Sequence, residues 1–457
     1  MTLVMKFGGT SLGDGRKIKA ASALVKAAAK DDRVVVVVSA MAGITDSLLG
    51  AAGSAYVSSE RDIESFVESI SKRHKEAIAI AIRKERKKVR RAIDARADEL
   101  REALLGVHTS GLTEQGRDRI SAFGEKMSAA VMSGAISEFS KSEWHHGDDG
   151  LILTDENFVN AEPDMQKTCA QVRKRISPQL RHGIIPVVTG FMGCTPDGHT
   201  TTLGRGSSDH IASILGACLG AREVQIWTDV DGLLTADPRI VGGSRLIGTV
   251  SFREAGELAY FGAKVVHPKT MLPAVRKGIP IRILNTFNPG SMGTEIKGRG
   301  ERHDGVVKAI TSKKGITLID IVSTRMLAAH GFLAELFGIF GRHGMSIDLI
   351  STTEVSVSVT IDENVNGRLK PVVEDLERIA SVKVCKDRAM VCVVGEGMRE
   401  APGTAGRVFS RLGRDRVNVE CISQGASEIS ICMVVKEGEA DHAVRILHDE
   451  FFPGDGG

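Results

Sequence analysis

The 457-residue sequence contains no run of the ~18 apolar residues that a membrane-spanning helix requires. Its opening, Met1-Thr2-Leu3-Val4-Met5-Lys6-Phe7-Gly8-Gly9, lacks a charged segment followed by an apolar one. No secretory leader is therefore expected, and the expected compartment is the cytoplasm. Neither sign of charge is in excess, with 60 Lys+Arg against 57 Asp+Glu and a formal charge of +3. So near-neutral a chain gives no whole-protein reason to expect nucleic acid or an anionic membrane as partner. The seven cysteines (Cys169, Cys194, Cys218, Cys385, Cys392, Cys421, Cys432) are odd in number and form no C-x-x-C. Most lie in apolar runs, where a free cysteine behaves as a small hydrophobe, so reduced core thiols are expected. Also missing is G-x-x-x-x-G-K-[ST], which excludes the P-loop solution to phosphate binding.

What is present is globular: 42% hydrophobic and 26% charged residues, in a chain too long for one ordinary core. The first two-thirds alternates short β-branched runs (3–7, 34–39, 184–189, 223–228, 280–284) with helical patterns such as 16–30 and 210–219. Five consecutive valines at 34–38 mark a strand covered on both faces, so a layered α/β domain on a mostly parallel sheet is expected over 1–297. The basic run 84–91 is followed at once by Asp94, Asp98, Glu99 and Glu102, which suits a solvated helical hairpin spanning about 60–105 better than an anion-binding patch.

Glycines 293, 298, 300 and 305 mark a linker zone, and beyond it the chain repeats itself. Residues 331–351 lie over 403–423 without a gap, matching Phe337 to Phe409, Gly341 to Gly413, Arg342 to Arg414 and Ser351 to Ser423. The first copy (316–387) reads as a complete βαββαβ unit; the second (388–457) is one strand short. Residues 305–311 form a spare apolar strand, expected to complete the second copy's sheet so that the first copy is inserted within it.

Three loops carry candidate chemistry. Lys6-Phe7-Gly8-Gly9-Thr10-Ser11 ends a strand and precedes a helix; the glycines admit a phosphate close to the backbone, and Lys6 is a mobile cation. A tight turn with a surface lysine is the plainer alternative. Thr200-Thr201-Thr202-Leu203-Gly204-Arg205-Gly206-Ser207-Ser208-Asp209 runs into a helix, with Ser208 or Asp209 as expected N-cap and Arg205 free to grip a carboxylate. Trp227-Thr228-Asp229-Val230-Asp231-Gly232 leaves a strand where open α/β sheets bind ligands, although such aspartates also simply form turns. Further on, Phe261-Gly262-Ala263-Lys264 offers a second cation, and His267 reads as structural.

Together with Ser39-Ala40-Met41-Ala42-Gly43-Ile44-Thr45 and Phe123-Gly124-Glu125, these motifs resemble the aspartate kinases of the amino-acid kinase family, over essentially the whole chain. The tail resembles the paired ferredoxin-like ACT domains that sense end-product amino acids in that family. The resemblance implies ATP and Mg2+ as cofactors and transfer of a phosphoryl group to the β-carboxylate of L-aspartate, the first step towards lysine, threonine and methionine. A sister kinase for another small acid, or a catalytically silent amino-acid sensor, are the alternatives. By resemblance, Lys6 and Asp209 are catalytic, and Ser39, Thr45, Glu125, Arg205 and Ser208 hold aspartate. Lys6, Gly8, Gly9, Thr10, Ser11, Thr228, Asp229, Arg239 and Lys264 hold the nucleotide, with magnesium carried on its phosphates and no protein ligand assigned to it. Where relatives often place a tyrosine beside adenine, this chain has Leu234. Effector contacts for lysine or threonine fall on Met326, Gly331, Phe332, Leu333, Ile347, Asp348, Thr353, Glu354 and Gln424. A homodimer or homotetramer paired through the ACT domains is expected. A fused dinucleotide-binding dehydrogenase is not expected after the repeat.

Overall fold

The computed structural model describes residues 1–204, 206–261, 267–298, 306–326, 330–362, 367–425 and 429–453. Two compact units divide the chain: 1–233 with 266–299, and 234–265 with 300–457. Segment 234–265, which the expected domain 1–297 includes, groups with the tail in this division. No described helix is long and apolar enough to cross a membrane.

In the first unit seven strands lie in the order Ser142–His145, Ile185–Thr189, Arg33–Val38, Thr2–Phe7, Glu223–Thr228, Ile281–Asn285, Thr294–Lys297. Every pairing is parallel until the last, which is antiparallel. Helices cover both faces, which is why Val34 to Val38 are at most 1% exposed and why an uninterrupted valine run suits this position. The deepest helix, Phe123–Ile136, is buried at every residue. The helices Glu60–Ala81 and Arg86–Ser110 pack together as the expected hairpin. Ion pairs such as Lys75–Asp94 and Arg101–Glu64 balance its charge.

The second unit holds a six-stranded antiparallel sheet: Ile350–Thr352, Ser356–Asp362, Ala309–Val322, Ser381–Val394, Ser430–Lys436, Cys421–Gln424. The two central strands are 14 residues each, and both repeats use them. Ala309 to Lys313 pairs with Val394 to Met390 in the second repeat, while Ile316 to Val322 pairs with the first. The spare strand is thus the leading half of one long strand rather than a separate element. The register shifts between Lys313 and Leu318, around Gly315 at φ 70°. Helices Phe332–Arg342 and Leu369–Glu377 cover the first repeat's core, and Thr404–Arg414 and Ala440–Phe451 the second's.

Segment 234–265 is fastened to this sheet by hydrogen bonds. Thr235 Oγ1 meets His448 Nε2 at 2.9 Å, Glu254 accepts the Glu396 N–H at 2.8 Å, and Ser430 donates to Glu257 at 2.8 Å.

Four cysteines depart from the expectation of free core thiols. Cys169 and Cys218, on packed helices, are joined by a disulfide, as are Cys392 and Cys432, which face each other across neighbouring strands. Spacings of 49 and 40 residues gave no hint of either meeting. Cys194, Cys385 and Cys421 remain free.

Candidate active site

The strand Thr2–Phe7 lies at the centre of the parallel sheet, so Lys6 emerges between Val37 and Ile226 near the carboxyl ends of three strands. Its ammonium meets Asp209 Oδ1 at 2.6 Å, with the two side chains only 10% and 12% exposed. Asp209 lies in the first turn of the helix Ser207–Leu219. The N-cap of that helix is Gly206, at φ 78°, not Ser208 or Asp209 as expected. Glycine adopts the left-handed conformation without strain, so the helix begins earlier and leaves both polar residues inside its positive first turn. Gly190 lets this turn approach the sheet: a Cβ there would lie 2.8 Å from the Ser208 Cα.

A cavity of about 550 Å³ opens at this point, lined by Lys6, Gly9, Ser39, Thr45, Glu125 and Ser208 among others. Residues from six separate stretches of the sequence thus converge on one space. Glu125 is the most unusual of them. Burial pushes its carboxyl up to about 8, against the opposing pull of the Ala40 N–H and the charge of Lys6. Its Oε2 has no hydrogen-bond partner among the described residues. The cavity wall thus holds a buried carboxyl oxygen with hydrogen-bonding capacity to spare.

The nucleotide candidates divide. Gly8 donates its N–H to the Trp227 carbonyl at 3.0 Å, and Thr10 is exposed at the strand-to-helix turn. Ser11 is corrected: its N–H bonds the Gly8 carbonyl and its buried hydroxyl meets Thr286 at 2.7 Å, which leaves neither for a phosphate. Thr228 donates to Asp229 at the end of its strand, while Asp231 accepts from Asn285 and Asn288, a turn-forming role. Arg239 belongs to the second unit, where its guanidinium is paired with Asp237 at 2.6 Å. Leu234, in the same unit, forms a bridge with Leu246. Arg205 and Lys264 lie outside the described residues. His267 caps the helix Pro268–Arg276 by accepting the Lys269 N–H, as its structural reading implied.

Arg117, Asp118, Val159, Phe191 and Thr202 also line the cavity and were not anticipated. Asp118 lies on the helix Glu114–Ser121 and Glu125 on the next, Phe123–Ile136, so no single helical period links them in the sequence.

The amino acid kinase family matches residues 1–285, and an ACT domain matches 391–451. The chain is 36% identical to the chloroplastic aspartokinase 3 of Arabidopsis thaliana, over 100% of this chain and 82% of that protein. It is 33% identical to the lysine-sensitive aspartokinase 3 of Escherichia coli, over 98% and 99%. This chain belongs to the aspartokinases. Among solved structures, E. coli aspartokinase III with aspartate and ADP (R-state) superposes with a TM-score of 0.85 at 31% identity, covering 99% of this chain and 100% of that one. The same enzyme with lysine and aspartate (T-state) gives 0.81, again at 31% identity, over 99% of each chain. The activity is that of an aspartate kinase with an ACT-type regulatory tail.

In that tail the effector candidates take different environments. Phe332 is buried in the first repeat's core, with Met326 and Ile347 packed against it. Gly331 caps the helix that follows it, at φ 90°. Leu333 is exposed, as are Glu354 and Gln424, and Thr353 closes a turn with Ser356. Asp348 stands apart: it is ion-paired to Lys313 at 2.9 Å and accepts a 2.5 Å hydrogen bond from Tyr260.

A cluster of His146, Asp148 and Asp149 brings possible metal ligands within 4.8 Å of one another. Lys126 sits 2.5 Å from Asp148, so an ammonium already offsets one of the two carboxylate charges there.

Proposed function

We propose that the first unit's cavity binds L-aspartate beside Mg-ATP and aligns the β-carboxylate for in-line attack on the γ-phosphorus. The new bond is carboxylate oxygen to phosphorus; the bond that breaks joins the γ-phosphorus to the β,γ-bridging oxygen, and ADP leaves. The products are 4-phospho-L-aspartate and ADP. Aspartate is already ionised at neutral pH, so no general base is required, and catalysis reduces to alignment and charge neutralisation.

Each residue has a place in this reading. Lys6 neutralises charge on the transferring phosphoryl group, and Asp209 holds its ammonium in position. Glu125 receives the substrate ammonium, Arg205 its α-carboxylate, and Ser39, Thr45 and Ser208 supply hydroxyls around it. Gly8, Gly9 and Thr10 approach the phosphates. Thr228 and Asp229, at the end of their strand, attend the rest of the nucleotide. Magnesium enters with ATP as part of the substrate. The observation that carries the reading is the Lys6–Asp209 pair at the mouth of a cavity that also holds Glu125 with an unpartnered oxygen.

In the tail, a basic amino acid such as lysine acts as the effector, with the Asp348 carboxylate as its ammonium partner. Asp348 is held by Lys313 at 2.9 Å in the ligand-free chain, so in this reading the effector ammonium takes the place of that of Lys313. Association of two or more chains runs through the outer strands of the tail sheet, where Ile350 and Ile422 are 44% and 46% exposed.

The deciding experiment is ADP release with L-aspartate and with rival acids, each repeated with added lysine, threonine or methionine. Turnover with another acid and none with aspartate would overturn the substrate reading.

A further inference from the structure

Three consecutive threonines, Thr200 to Thr202, form the strand that leads into the Gly204–Ser208 loop, and the reaction as derived above uses none of them. Each hydroxyl nevertheless has a defined partner. Thr200 donates to Asp148 at 2.7 Å, Thr201 shares a hydrogen bond with Thr154 at 2.7 Å, and Thr202 donates to Asp118 Oδ1 at 2.7 Å. The third bond differs in what it joins. Asp118, Thr202 and Val159 all line the cavity, whereas Thr200 does not.

Asp118 is 1% exposed and accepts from three donors. Besides the Thr202 hydroxyl, its Oδ2 receives the Thr202 N–H at 2.9 Å and the Val159 N–H at 2.8 Å. A single carboxylate therefore ties the helix Glu114–Ser121 to two loops that form one wall of the cavity. One of these loops is held in an unfavourable conformation. Val159 sits at φ 71°, a region that a β-branched residue occupies only when its surroundings enforce it. The two loops also touch: a Cβ on Gly204 would lie 2.9 Å from Asn160 Oδ1. Fixing Val159 and Thr202 thus fixes the approach to Gly204, two residues beyond Thr202 in the same cavity lining.

We propose that Asp118 is the positioning residue for the aspartate-binding wall, acting through Thr202 and Val159 rather than by touching the reacting atoms. Its partners Thr202 and Val159 line the cavity assigned above to aspartate, so its influence is expected on the phosphoryl acceptor rather than on the nucleotide. The proposal rests on aspartate being the occupant of that cavity, and turnover of aspartate by the unaltered enzyme tests that point separately.

The experiment is steady-state kinetics, with each substrate varied in turn, on Asp118→Asn, Thr202→Val, Thr202→Ser and Thr200→Val. Loss of a buried hydrogen bond to a charged group should raise the KM for aspartate about tenfold or more in Asp118→Asn and Thr202→Val. The KM for ATP should stay within about twofold of the unaltered enzyme. Thr202→Ser keeps the hydroxyl and should restore aspartate binding. Thr200→Val removes an equivalent bond on the same strand away from the cavity and should leave the aspartate KM near its original value. The proposal is overturned if both KM values rise together, if Thr202→Ser is no better than Thr202→Val, or if Thr200→Val matches Thr202→Val. Should Asp118→Asn fail to fold, the paired threonine variants decide the matter alone.

Discussion

The two units solve different problems with different sheets. In the first, parallel strands end on the same side, so loops and helix N-termini from distant parts of the sequence gather at one edge. That edge is where Lys6, Glu125 and Ser208 meet around a cavity. In the second, strands are antiparallel and their ends alternate, so no single edge collects loops. What distinguishes it is continuity: two 14-residue strands run through both repeats, and segment 234–265 is bonded to both halves. Chemistry therefore has a natural place in the first unit. In the second unit the two repeats share both long strands.

This contrast can be broken most sharply at Lys6. Lys6→Ala should lower kcat by about 10²–10³-fold, the cost of losing one preorganised charge at a developing anion, with a far smaller change in nucleotide affinity. Full turnover in that variant would remove the first unit's claim to the chemistry. In the second unit, Asp348→Ala should raise the lysine concentration for half-inhibition about tenfold or more if the carboxylate holds the effector ammonium. An unchanged inhibition curve would separate Asp348 from effector binding.

A smaller, graded effect concerns pH. Glu125, with its carboxyl pushed up to about 8, is largely protonated at pH 7 in the empty site. Binding an ammonium then requires release of that proton, so the KM for aspartate should fall as pH rises towards 8 and level off above it. The same shift has a stability sign. The folded state keeps a proton that the unfolded chain loses, so the ligand-free protein should lose stability between the ordinary glutamate pKa of 4.5 and about 8. Glu125→Gln should flatten both profiles; a retained slope in both would assign them to another group. The smallest effect is expected from reductant. Opening the Cys392–Cys432 bridge, already flanked by paired strands, should lower the melting temperature by about 2–4 °C, read by differential scanning calorimetry. A drop far larger than this would mean that the sheet depends on its crosslink.

Much of this was legible before any coordinates. The valine run announced a covered parallel strand, and the gapless repeat announced two copies of one βαββαβ unit. The glycine loops pointed to residues that do converge: Lys6, Gly9, Ser39, Thr45, Glu125 and Ser208 line one cavity. The reason is that backbone freedom and side-chain periodicity are local properties, visible within a few residues. Ser11 was misread because a hydroxyl's partner, here Thr286, lies 275 residues away. The N-cap was misplaced because both Gly206 and Ser208 can start a helix, and the loop's path decides between them.

By itself the sequence determined the main strands of the parallel sheet and that the tail is a duplication, and it marked several loops that line one cavity. Only the tertiary structure decided that segment 234–265 belongs with the tail, that one long strand serves both repeats, that four cysteines meet in pairs, and that Asp118 ties two loops of the cavity together. These are all relations between residues far apart in the chain. Their distances are set by packing and burial, which no local pattern records.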